Sequence, residues 1–170
     1  TGRVVDTLRE RLERLHRTSG RRVSLVGWSL GGLYAQELAR AAQTAGLPVG
    51  LGSFRVLFEH PELVGQFQLK KLAPDVPVLA NLGAVQVRDR PLAEIFEWLR
   101  RLEVQALVVH LNPGQELFQP EGERDFRGLK QALARLCGEA PVPVIIKETG
   151  FGILRTIQPL DVYTVAASVR

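Results

Sequence analysis

Ala106-Leu107-Val108-Val109-His110-Leu111-Asn112-Pro113-Gly114-Gln115-Glu116 is an apolar run of strand length that closes on a cluster of polar side chains. An unbroken run of this kind suits a strand covered on both faces, and polar groups gathered at its carboxyl end suit a ligand site. The pattern recurs along the chain. Strands are expected at Val23 to Val26, Pro48 to Gly52, Val76 to Leu82, Ala106 to Leu111 and Val142 to Lys147. Between them Leu33 to Ala45, Pro61 to Phe67, Pro91 to Leu102 and Asp125 to Leu136 carry apolar residues at helical spacing. Strands alternating with helices give an α/β class with buried parallel strands and crossover helices. Ser29, Ser53, Asn81, His110 with Asn112, and Lys147 with Glu148 each stand at or just beyond a strand's carboxyl end. An open sheet concentrates its ligand groups at one switch point, whereas a barrel draws them from successive strands. The fold expected is therefore a partial TIM-type (βα) barrel of five to six parallel strands with flanking helices.

Composition agrees with one α/β domain over 1–170. The chain has 170 residues, 45% apolar and 24% charged, with one Cys and no Met. This excludes a disordered segment, a collagen-like repeat and a disulfide scaffold, and a chain of this length buries about 70% of its unfolded surface. Cys137, beside Leu136 and without a second Cys, is expected to be a buried thiol in a reducing compartment. No apolar stretch reaches membrane-spanning length and no signal peptide is visible, so a cytoplasmic protein without a membrane partner is expected. The opening Thr1-Gly2, with no initiator Met, suggests an excised or incomplete piece. The net charge of +4 sits in residues 1–22, where seven Arg face Asp6, Glu10 and Glu13. Val5, Leu8, Leu12 and Leu15 put an apolar stripe on the same segment, which reads as a solvated surface helix. Aromatic interleaving and known nucleic-acid reading motifs are missing, so no nucleic-acid partner is expected.

Gly27-Trp28-Ser29-Leu30-Gly31-Gly32 follows a strand and precedes a helix, the context in which G-x-S-x-G forms a nucleophile elbow. Residues 1–41, through RRVSLVGWSLGGLYAQELARAA, resemble the elbow segment of α/β-hydrolases, and that resemblance makes Ser29 a hydrolase nucleophile. A nucleophilic Ser needs an acid and then a His later in the chain. His60 and His110 stand in no such order, and the plainer reading is that Ser29 caps the following helix.

A longer series begins at Gly50-Leu51-Gly52-Ser53-Phe54-Arg55 and passes through Ala80-Asn81-Leu82-Gly83-Ala84. It continues with His110 to Glu116 and Gln119-Pro120-Glu121-Gly122-Glu123-Arg124-Asp125-Phe126-Arg127-Gly128, and closes at Val144-Ile145-Ile146-Lys147-Glu148-Thr149-Gly150. In order and spacing it resembles the type 2 isopentenyl-diphosphate isomerases, FMN-dependent βα-barrel enzymes, over residues 42–152, about two thirds of the chain. The resemblance implies isomerisation of isopentenyl to dimethylallyl diphosphate with FMN, Mg²⁺ and NADPH as flavin reductant. It makes Ser53, Asn81 and Lys147 cofactor contacts, and Ser53, Phe54, Arg55 and Gln115 substrate contacts. Gln115 and His110 become catalytic-site residues, and Glu116 the Mg²⁺ ligand. The chemistry suits these types: Arg offers phosphate a planar fork, a carboxylate suits a hard cation, and Lys stabilises negative charge near a flavin.

Taken singly each residue has a plainer reading: Ser53 a helix cap, Asn81 a left-handed turn residue, Lys147 a strand-end cation, His110 a core histidine, Gln115-Glu116 a solvated turn. Their joint occurrence at strand ends favours the flavin and diphosphate site. Three departures from the family pattern stand beside it. Leu30 replaces a flavin-contacting Thr, the family's amino-terminal Arg-Lys pair has no counterpart, and the family's further βα units do not follow Gly152. The expected organisation is a hydrolase-like unit over 1–41 joined to an isomerase-like half barrel over 42–152, then a tail over 153–170. Within that tail Asp161 to Ala167 is a further strand candidate. Open strand edges would favour a homo-oligomer. The function the resemblance implies is the FMN- and Mg²⁺-dependent isomerase, active or else inactivated by truncation; a Ser29 esterase and a non-catalytic α/β assembly module are the alternatives.

Overall fold

A computed structural model describes Glu10, Arg14, Arg17, residues 25–26, Ala39, residues 42–43, 46–120, 122–148 and 163–166. The chain divides into two compact units, Thr1–Ala80 with Leu102–Val104, and Asn81–Arg101 with Gln105–Arg170.

In the first unit β1 (Leu25–Val26) runs parallel to β2 (Val49–Ser53), with Leu25 opposite Val49 and Val26 opposite Gly50. The Val49 N–H donates to the Pro77 carbonyl at 2.9 Å, next to the first residues of β3 (Val78–Gly83), which begins in this unit. The core is built from Phe54, Leu57, Leu69, Ala73, Val76 and Val78, none more than 1% exposed. Ala39 and Ala42, helical and buried, fall inside the helix expected from Leu33, while Glu10, Arg14 and Arg17 are helical and exposed as a solvated surface helix requires.

One expectation fails here. Pro61 to Phe67, expected as an α-helix, is a 3-10 helix over Pro61–Gln66, between others at Phe54–Phe58 and Leu69–Lys71. Its apolar residues have helical spacing but none is buried, so nothing rewards a longer helix. Pro61 and Gly65 lower the propensity further.

The second unit holds the end of β3, then α1 (Ala84–Asp89), α2 (Leu92–Arg101), β4 (Ala106–His110), α3 (Pro113–Phe118), α4 (Leu129–Glu139), β5 (Val144–Glu148) and β6 (Tyr163–Ala166). β4 and β5 are parallel, from Leu107 opposite Val144 to His110 opposite Lys147, and β5 and β6 are parallel, from Ile145 opposite Tyr163 to Glu148 opposite Ala166. The Leu111 N–H donates to the Lys147 carbonyl at 3.0 Å, which carries the β4–β5 pairing one residue past the strand. Leu82, Ile95, Leu99, Leu107, Val109, Leu133, Leu136 and Ile146 fill the core, all at most 2% exposed. In α2 the buried residues Leu92, Ile95, Trp98 and Leu99 fall at helical spacing, and Arg90–Glu94 and Glu97–Arg100 pair across the exposed face.

The α/β class, its parallel strands and its flanking helices stand as the sequence indicates, and β6 falls within the strand candidate of the tail. Helix α4 begins four residues later than expected, after Gly128 at φ 74°, and ends three residues later. Its Cys137 is half-buried rather than enclosed, and burial pushes the thiol pKa up, away from a reactive thiolate. Ser29 and its elbow lie outside the described residues. Among the described residues no helix is long and apolar enough to cross a membrane.

Candidate functional site

Three adjacent strand ends of the second unit meet in one polar cluster. β3 ends on Asn81-Leu82-Gly83, β4 on His110, and β5 on Lys147-Glu148. Parallel strands bring their carboxyl ends to the same edge, so residues 29 and 37 positions apart become neighbours.

Asn81 is 3% exposed and His110 half-buried, with His110 Nδ1 2.8 Å from Asn81 Oδ1. An amide oxygen only accepts, so Nδ1 carries the hydrogen and, in the neutral ring, Nε2 is the acceptor. This is more than a satisfied core histidine, because the ring is held in one tautomer at a strand end. Gly83 makes room for it. A Cβ at Gly83 would collide with Gln86 Oε1 and lie 3.1 Å from His110 Nε2. Gln86, folded back from the first turn of α1, is a site residue that the sequence did not reveal. The only trace of it is a strand-end glycine followed by an amide three residues later.

Asn112 is the most constrained member. It is fully buried and left-handed, at φ 42° and ψ 36°, where the chain turns from β4 into α3. The plainer alternative for Asn81, a left-handed turn residue, does not hold: Asn81 is a strand residue, and the left-handed turn belongs to Asn112. Asn112 Oδ1 accepts from Lys147 Nζ at 3.4 Å, while its Nδ2 is buried with no partner among the described residues. A buried amide donor without an acceptor costs about 1–3 kcal/mol. An observed cost of this kind at a strand-end turn marks a place built for something other than stability.

Lys147 is half-buried, and desolvation lowers its pKa, with Glu148 opposing that shift. Glu148, paired with Lys147 at this strand end in the sequence, is 4% exposed. Gln115 lies in α3, where only its backbone is described. Leu117 and Phe118 on the same helix are 53% and 89% exposed.

Glu116, half-buried on α3, is held by the loop that follows. The Glu123 N–H donates to Glu116 Oε2 at 3.1 Å. A Cβ on Gly122 would collide with the Glu116 carbonyl oxygen and lie 2.6 Å from its carbon. Gln115-Glu116 is therefore no solvated turn, since backbone seals one side of Glu116. No cluster of three or more His, Cys, Asp or Glu side chains able to hold a metal occurs among the described residues. Mg²⁺ commonly takes one or two carboxylates and completes its shell with water and substrate phosphate, so a lone carboxylate fits that ion.

Ser53, Phe54 and Arg55 belong to the first unit. The Arg55 N–H donates to Ser53 Oγ at 3.4 Å, so Ser53 does cap the short helix after it. Phe54 is fully buried, with its ring 5.7 Å from that of Phe58, and only its backbone could face a ligand. Arg55 is exposed, its guanidinium open to an anion.

No family model matches the chain. It is similar to proteins named isopentenyl-diphosphate delta-isomerase, among them the following three. That of Borrelia garinii subsp. bavariensis is 46% identical over 127 residues, covering 75% of this chain and 36% of that protein. That of Chlorobium limicola is 45% identical over 129 residues, with the same coverage of each. That of Thermococcus kodakarensis is 41% identical over 132 residues, covering 75% of this chain and 35% of that protein. The chain thus spans about a third of the length of the curated relatives it matches. None of these likenesses supports the hydrolase reading of residues 1–41.

Proposed function

We propose that the chain carries the strand-end site of an FMN-dependent, type 2 isopentenyl-diphosphate isomerase. In this reading its strands are an arc of a βα barrel in the cytoplasm. The observation that carries the reading is the convergence of Asn81, His110, Asn112 and Lys147, with a buried Asn112 amide lacking an acceptor, inside a chain about 45% identical to proteins of that name. The Asn112 Nδ2 hydrogens suit an acceptor-rich planar group such as the flavin ring, and the Lys147 ammonium stands beside them on the Asn112 oxygen.

Bound FMN, with NADPH as its reductant, would supply the proton-moving chemistry of the double-bond shift. The chain's own residues bind and orient. Lys147 presents positive charge to the ring and is already partly desolvated, so little water must be stripped on binding. Asn81 holds the His110 ring in place through Nδ1 at the strand end. Ser53 and Arg55 serve the diphosphate, to which the guanidinium offers paired charged donors. Glu116 would offer one carboxylate to Mg²⁺, and the resemblance gives Gln115 to the hydrocarbon part of the substrate.

Titration calorimetry with isopentenyl diphosphate and Mg²⁺ tests the assignment. Arg55→Ala is expected to weaken diphosphate binding about tenfold, the loss of one or two charged hydrogen bonds. Glu116→Gln should remove the dependence of binding on Mg²⁺ and leave a Mg²⁺-independent remainder. Unchanged binding in both variants would sink the assignment.

A further inference from the structure

The loop that seals Glu116 is itself held from elsewhere. Arg88, in the last turn of α1, is half-buried and reaches across to residues 37 and 39 positions later. Its Nη1 donates to the carbonyl of Asp125 at 2.6 Å and to that of Arg127 at 3.2 Å. Its Nε and Nη2 donate to the two carboxylate oxygens of Asp89 at 2.6 and 2.9 Å. Four of the five guanidinium N–H groups are thus engaged in fixed directions, and the Asp89 hydrogen bonds, the first cause of its raised pKa, keep the group charged. The loop has its own brace, since Arg127 donates to Asp125 through backbone N–H and guanidinium, at 3.1 and 2.8 Å. Asp125 and Arg127 sit two and four residues beyond Glu123, whose N–H holds Glu116 Oε2. Gly128, directly after, is left-handed, and its Cβ position lies 3.8 Å from Arg88 Cδ. The stem of the side chain that grips residues 125–127 thus lies beside the turn that starts α4.

From this chain of contacts we propose that Arg88 is the positioning residue for the Glu116 carboxylate, clamping the 122–128 loop so that the Glu123 N–H fixes one carboxylate oxygen and leaves the other for a divalent cation. The role rests on reading Glu116 as the cation ligand. It does not touch the strand-end cluster, because none of Arg88's contacts involves Asn81, His110, Asn112 or Lys147. Arg is needed for geometry as well as charge: a lysine ammonium can reach one carbonyl but cannot hold two carbonyls and a carboxylate in one plane.

The test uses the full chain and two readouts, hydrogen exchange at the Glu123 amide and Mn²⁺ binding followed by water proton relaxation. Arg88→Ala should speed Glu123 exchange about tenfold and weaken Mn²⁺ binding about tenfold, the scale of losing charge-assisted hydrogen bonds. Arg88→Lys should recover part of both, and Asp89→Asn, which spares the carbonyl contacts, should stay within about twofold of the parent chain. Unchanged Glu123 exchange in Arg88→Ala would overturn the clamp. Faster exchange with unchanged Mn²⁺ binding would overturn the positioning role. Faster exchange at the core Leu107 amide in both Arg88 variants would reduce Arg88 to general stability and overturn it too. Glu116→Gln reports separately on the underlying reading. Mn²⁺ binding that survives in that variant, or is missing in the parent chain, removes Glu116 as ligand and the positioning role with it, whereas the Glu123 exchange result stands on its own.

Discussion

Gly122→Ala is expected to cost about 1–3 kcal/mol of stability and to weaken cation binding at Glu116 by more than about tenfold. The added methyl meets backbone rather than a side chain that could swing aside. It would collide with the Glu116 carbonyl oxygen and lie 2.6 and 3.0 Å from the carbonyl carbon and Cα of the same residue. On either side are the hydrogen bonds that shape the loop, Gly122 N–H to the Gln119 carbonyl at 3.1 Å and Glu123 N–H to Glu116 Oε2 at 3.1 Å. The loop can escape only by lifting away, and lifting breaks the second of these bonds. Binding should therefore suffer more than folding. Thermal unfolding and Mn²⁺ relaxation measured side by side would show this. An alanine variant that binds Mn²⁺ like the parent would mean that the loop does not set the carboxylate.

Leu107→Ala should have the largest effect on stability, about 2–5 kcal/mol, lowering the unfolding midpoint by roughly 5–15 °C. Leu107 is fully buried in β4, whose inner residues Leu107 and Val109 alternate with half-buried Val108 and His110. Removing three carbons leaves a cavity that the flanking strand cannot fill, because the Leu107 N–H holds the Pro143 carbonyl at 2.9 Å and fixes the β4–β5 register. His110 is on the other face of the strand, so the substitution weakens the platform without altering the cluster's chemistry. Urea unfolding would give the loss directly. A change below about 1 kcal/mol would mean that this face is not the tightly packed core described.

The strands were legible because burial on both faces writes itself as an unbroken run of Val, Ile and Leu. Ala106–His110 and Val144–Glu148 fall within two residues of the segments expected. What escaped depended on distant partners. The helical spacing of 61–67 implied an apolar face, but no core lies opposite it. Residues 125–128 carried enough apolar spacing to look helical, yet Arg88 holds two of their carbonyls from 37 and 39 positions away, and Gly128 turns left-handed. The candidate site was legible as a set of strand-end residues, not as a set of contacts. Which asparagine adopts the left-handed turn, and that Gln86 folds back beside His110, follow from packing that no local spacing records. Nor does any local spacing record that Gly122 and Glu123 lie against Glu116.

The central claim is that Asn81, His110, Asn112 and Lys147 form a half-site for a flavin, and FMN titration of the purified chain, followed by flavin fluorescence, tests it most directly. The account predicts saturable binding to one site, weakened about tenfold in Lys147→Met, where the charged donor is lost and the stem is kept. A folded chain that shows no saturable binding, or a Lys147→Met variant that binds FMN as the parent does, would contradict it.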